Sequence, residues 1–130
     1  MAARKHAPMD ERMLAAVAAQ FRALSEPARL KLLQELRRGE TSVNDLSAAV
    51  GFSQANTSKH LSLLHAAGFL RRRKQGTTVL YAVSDPVVDQ LCAMMCARVS
   101  DAADAMRDSQ RKAAAAFEAR SAPAGSAARR

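Results

Sequence analysis

Between residues 10 and 24 the apolar side chains Met13, Leu14, Val17, Phe21 and Leu24 recur at steps of three and four, the spacing of one helix face. Asp10 and Glu11 stand where the N-terminal end of that helix favours negative charge. Ser25-Glu26-Pro27 then reads as a new start, with Ser25 as the cap and Pro27 in a first turn whose N–H would go unbonded anyway. Leu30, Leu33 and Leu36 repeat on one face of the second helix, which runs to residue 37 before Gly39 stops it. Thr41 or Ser42 caps a short third helix through Leu46, Ala49 and Val50, ended by Gly51. Ser53 caps a fourth, which runs to residue 65 or 66 before Gly68 closes it.

Beyond Gly68 the period changes from helix to strand. Residues 69–74 and the β-branched and aromatic run 78–83 flank Gln75-Gly76-Thr77, which predicts a β-hairpin with glycine in its turn. Ser84-Asp85-Pro86 repeats the cap-and-proline signal and opens a long helix through Val87, Val88, Leu91, Met94, Met95 and Val99 toward Phe117. The expected fold is therefore mainly α with a small β-hairpin, in the order α-α-α-α-β-β-α. Residues 1–9 read as a flexible arm, 10–118 as the domain, and 119–130, rich in Ala, Ser, Gly, Pro and Arg, as a disordered tail.

Two short helices joined through Gly51 make a helix-turn-helix. At 100° per residue, Thr57, Leu61 and Leu64 share one face of the second of them, with His60 at its edge. Gln54, Ala55, Ser58, Lys59 and Ser62 share the other. That face is small, polar and free of carboxylates, as a helix entering a DNA major groove must be; an ordinary solvated face mixes Glu with Lys.

Charge sharpens this picture. The 130 residues carry 20 Lys and Arg against 12 Asp and Glu, a net +8, the balance of a chain that meets a polyanion. Residues 1–84 hold net +7 and residues 85–130 only +1, so the anion-binding surface belongs to the first two thirds. Arg71-Arg72-Arg73-Lys74, on the first hairpin strand, would lie against phosphate as the wing of a winged helix.

Other classes fall away. No apolar run reaches the roughly 20 residues of a membrane helix, and no signal peptide is legible. Two cysteines, four residues apart, cannot form the disulfide framework of a small secreted domain, which points to the cytosol. No Ser/His/Asp set, phosphate-binding glycine loop or carboxylate pair is spaced for catalysis, so an enzyme is not expected.

Three stretches carry a resemblance. Phe21-Arg22-Ala23-Leu24-Ser25-Glu26-Pro27-Ala28-Arg29-Leu30, then Ser53-Gln54-Ala55-Asn56-Thr57-Ser58-Lys59-His60-Leu61, then Ala67-Gly68-Phe69-Leu70 with Tyr81-Ala82-Val83, resemble the ArsR/SmtB family of bacterial winged helix-turn-helix repressors. The resemblance spans roughly residues 10–100. It implies a homodimer through the first and last helices that binds a short inverted repeat in double-stranded DNA and leaves it when an inducer binds. Carried over by position, Gln54, Ala55, Ser58 and Lys59 would face bases. Asn56, Ser62 and Thr41 or Ser42 would lie near the backbone with Arg71, Arg72, Arg73 and Lys74. His60 is assigned to packing.

The family's sensor sites match less well. The Cys-Val-Cys of arsenite-binding members is replaced by Ser42-Val43-Asn44, and of the zinc set in the last helix only Asp85 is present, with Val87, Arg98 and Asp101 at the other places. A persulfide pair lacks its first cysteine, where Thr41 stands. Cys92 and Cys96 remain. Residues four apart on a helix put their Cβ atoms about 5–6 Å from each other, so both sulfurs can meet one soft ion but cannot complete its shell. A third ligand would have to come from elsewhere, such as a second chain; oxidation of the pair is another route. No cofactor is required, and a thiophilic metal, metalloid or reactive sulfur species would be an inducer. The competing readings are a repressor whose cysteines only fill an apolar interface, and a winged helix used as a protein-interaction or RNA-binding module.

Overall fold

A computed structural model describes residues 7–122. The first six residues of the expected arm, and residues 123–130 of the expected tail, lie outside the described residues. Eight elements follow in order: α1 (Glu11–Leu24), α2 (Pro27–Leu36), β1 (Thr41–Ser42), α3 (Val43–Val50), α4 (Gln54–Ala66), β2 (Leu70–Gln75), β3 (Thr78–Val83) and α5 (Val87–Ser121). The contacts divide the chain into two compact units after Asp89.

In the first unit the helices start where local chemistry places them, with two corrections. Asp10, Ser42 and Ser53 cap α1, α3 and α4, each accepting a backbone N–H three residues on. Ser25 does not cap α2. The residue before a proline is forced toward extended backbone, so with Pro27 as the first helical residue the cap position falls on Glu26 (φ −149°, ψ 130°), and Ser25 instead ends α1. Ser84 likewise does not cap the last helix: its hydroxyl donates to the Gly68 carbonyl at 2.8 Å, while Asp85 Oδ1 accepts from the Val87 N–H at 2.9 Å.

The core is aliphatic. Leu32, Leu33 and Leu36 of α2, Leu46 and Val50 of α3, Leu61 and Leu64 of α4, and Tyr81 and Ala82 of β3 are buried, joined by Phe69 and Leu70 and by Val88 at the start of α5. The hairpin is antiparallel, Leu70 opposite Val83 and Gln75 opposite Thr78. Its turn places Gly76 at φ 63°, the left-handed conformation that a two-residue hairpin turn asks of its first residue. The short β1 adds a third strand on the other side of β3, pairing Thr41 with Tyr81 and Ser42 with Leu80, so the sheet order is β1-β3-β2. The hairpin alone was expected; two residues have no period by which to be recognised.

The second unit is the body of α5 from Gln90 onward. The helix reaches Ser121, four residues past Phe117, because Glu118, Ala119 and Arg120 offer no break. No residue of this unit is buried among those described, and Met94, Met95, Val99, Met106 and Phe117 are exposed, Met94 and Phe117 at 71%. No helix among the described residues is long and apolar enough to cross a membrane.

Candidate nucleic-acid interface

The turn between α3 and α4 is built to be rigid. Gly51 ends α3 at φ 76°, and the N–H groups of Gly51 and Phe52 both donate to the Ser47 carbonyl, at 2.9 and 3.2 Å. A long-range contact closes it: Lys31 of α2 donates to the Val50 carbonyl at 3.2 Å and lies 5.6 Å from the centre of the Phe52 ring. An ammonium there meets both the negative end of the α3 dipole and an aromatic face.

On α4 the two faces separate as the periodicity predicts. Thr57, His60, Leu61 and Leu64 are buried; Gln54, Ala55, Asn56, Lys59 and Ser62 are exposed, and Ser58 is half-buried. The buried Thr57 hydroxyl is satisfied by the Ser53 carbonyl at 2.9 Å, the usual solution for a mid-helix threonine. The exposed face therefore offers two amides, two hydroxyls and one ammonium, with no carboxylate to repel a polyanion.

His60 packs in the core, and its partner is Arg29. That guanidinium is itself buried, and it is satisfied on all sides. Nε donates to the Ala23 carbonyl at 2.6 Å and Nη2 to the Arg22 carbonyl at 3.1 Å; Nη1 meets the Glu26 carboxylate at 2.8 Å and His60 Nδ1 at 3.4 Å. One side chain so ties the end of α1, the start of α2 and the middle of α4 together. Gln20 adds a second tie, donating to the Ala67 carbonyl just past α4 at 3.0 Å. Arg29, Lys31 and Gln20 escape a reading of the sequence, in which each looks like a solvated helix position.

The predicted backbone hydroxyls sit beside this helix-turn-helix. Thr41 donates to the Gly39 carbonyl at 2.8 Å, and Ser42 accepts from the Asp45 N–H at 3.1 Å. Both are half-buried and already engaged locally.

In the wing, strand alternation separates the four cations. Arg72 and Lys74, opposite Tyr81 and Val79, point to one face; Arg71 and Arg73, opposite Ala82 and Leu80, point to the other. All four are exposed. Arg73 has a carboxylate partner in Glu40, which accepts from Nε at 2.9 and 3.0 Å and from Nη2 at 2.6 Å. The Arg73 hydrogen bonds, with the charges of Arg73 and Arg71, hold the Glu40 carboxyl below the usual carboxylate range.

Cys92 is half-buried and Cys96 exposed on α5. Among the described residues no three His, Cys, Asp or Glu side chains group closely enough to hold a metal ion.

Helix-turn-helix, three-stranded sheet and long C-terminal helix together have clear relatives. Residues 26–72 match the model of the arsR family of bacterial regulatory proteins. The HTH-type transcriptional regulator NmtR of Mycobacterium tuberculosis is 36% identical over 88 residues, which cover 68% of this chain and 73% of that protein. The chain belongs to the ArsR family. A probable mercury resistance operon repressor of Streptomyces lividans is 40% identical over 84 residues, 64% of this chain and 67% of its own length. Among solved structures, the homodimeric winged helix-turn-helix DNA-binding domain Mb0332 of Mycobacterium bovis superposes with a TM-score of 0.64 at 27% identity, over 74% of this chain and 92% of that one. The ArsR chain described here is thus a winged helix-turn-helix, with α3 and α4 as its helix-turn-helix and β2 and β3 as its wing.

Proposed function

We propose that this ArsR-family chain is a homodimeric transcriptional repressor of the cytoplasm that binds an inverted-repeat operator in double-stranded DNA. The observation that carries the proposal is the exposed, carboxylate-free face of α4, held by the Arg29, Lys31 and Gln20 contacts. In this reading Gln54, Ala55, Ser58 and Lys59 meet base edges, and Asn56, Ser62, Thr41, Ser42, Arg71, Arg72 and Lys74 meet the backbone, while Arg73, expected there too, is engaged by Glu40. Dimerisation through α1 and α5 is supported by apolar side chains that one chain leaves uncovered: α1 has no buried residue, with Met13 53% and Phe21 56% exposed, and α5 exposes Met94, Met95 and Val99. A homodimeric relative of the same fold agrees with it. No catalytic role is proposed.

Release from DNA is assigned to a thiophilic inducer at Cys92 and Cys96. Support comes from their four-residue spacing and from a mercury-resistance repressor among the relatives. In the dimer a thiol of the second chain would supply a further ligand. The test is release of a labelled operator by mercury(II), cadmium or arsenite, in the wild type and in the Cys92→Ser/Cys96→Ser double variant. Loss of release with DNA binding intact is the expected outcome; release unchanged in the double variant leaves a repressor whose cysteines only fill space.

A further inference from the structure

The wing carries four consecutive cations, and one of them is already occupied. β1 and β2 flank β3, so Glu40, immediately before β1, lies across the sheet from Arg73, which pairs with Leu80 of β3. Arg73 reaches it with Nε and Nη2 in the fork-to-carboxylate geometry by which arginine also takes a phosphate, at 2.6 to 3.0 Å. Arg71 shares that face of the hairpin, while Arg72 and Lys74 occupy the opposite one, where no ion pair to either is found among the described residues.

We propose that Glu40 is an internal competitor of DNA phosphate for Arg73, so that the wing makes one phosphate contact fewer than its four cations would supply. The inference rests on the DNA-binding reading. Its physical basis is that an arginine fork engaged by a carboxylate cannot release a phosphate counterion unless that bond is broken first. A carboxylate beside the approaching backbone also repels it. Because phosphate contacts carry no sequence information, the contact withheld lowers affinity for every duplex alike.

The salt dependence of binding to a scrambled 30-base-pair duplex tests this without knowledge of the operator. Each phosphate contact contributes about 0.9 to the slope of log affinity against log salt. Glu40→Gln should bind more tightly than wild type and steepen the slope by about 0.9, its advantage shrinking roughly threefold between 50 and 200 mM salt. Glu40→Gln/Arg73→Ala should return to the wild-type slope. An unchanged or shallower slope in Glu40→Gln would overturn the proposal. So would a steep slope surviving in the double variant, since the gained contact would then not be Arg73. If the wild type fails to bind the scrambled duplex even at 50 mM salt, the same slopes are read on the duplex upstream of the gene, and failure there too loses the DNA-binding reading and this inference with it. Glu40 is a surface residue, and circular dichroism of each variant checks that the fold is intact.

Discussion

The unit up to Asp89 and the body of α5 beyond it treat their apolar side chains in opposite ways. The first buries Leu32, Leu33, Leu46, Leu61 and Leu64 almost completely and satisfies even a buried guanidinium, Arg29. The second holds Met94, Met95, Val99, Met106 and Phe117 in water. A region that spends its apolar surface internally can fold on its own account and present a polar face. A helix that leaves a Met and Val stripe exposed offers that stripe to a partner. In the proposed function the difference separates reading DNA from pairing, and the two cysteines fall in the region assigned to pairing.

The largest effect should come from breaking the packed unit. Leu61→Ala removes a fully buried side chain from the core-facing side of α4 and should cost about 2–5 kcal/mol in urea unfolding, whereas Val99→Ala in α5 should cost the unfolding of a single chain almost nothing. Val99→Asp with Met95→Asp should instead change the assembly, from a mass near twice 14.0 kDa to one near 14.0 kDa in light scattering. A wild-type monomer would refute the pairing role of α5.

Arg29→Ala comes next, at about 1–3 kcal/mol, because it leaves two backbone carbonyls and His60 without their donor. If Arg29 positions α4, DNA discrimination should fall as well, and Arg29→Lys, which cannot fork, should recover stability better than discrimination. Gln54→Ala should leave stability alone and cost about 1–3 kcal/mol of base preference, seen as convergence of operator and scrambled affinities. An equal loss on both duplexes would move Gln54 to the backbone. Smallest is Arg72→Ala, which should flatten the salt slope by about 0.9 on any duplex.

The elements set by local chemistry were legible in the sequence: five helices, a hairpin, and a recognition helix whose buried and exposed positions both follow from a 100° step. What escaped was set at long range or by competition between neighbours. Ser25 and Glu26 both suit a cap, and Pro27 decides between them through the backbone of the residue before it. Strand β1 exists only because β3 lies beside it. Arg29, Lys31 and Glu40 read as solvated charges until folding brings them to carbonyls, a ring and an arginine from 6 to 33 residues away. In the wing, four adjacent cations looked like one patch; the alternation of a strand divides them between two faces.

The central claim is that α4 reads DNA. Its most direct measurement is fluorescence anisotropy of the reduced protein on the duplex immediately upstream of its own gene, against a scrambled duplex of equal length and composition, at one fixed salt concentration. The account predicts at least a thousandfold preference for the first, the lower end of what specific readout gives. Equal affinity for the two would contradict it.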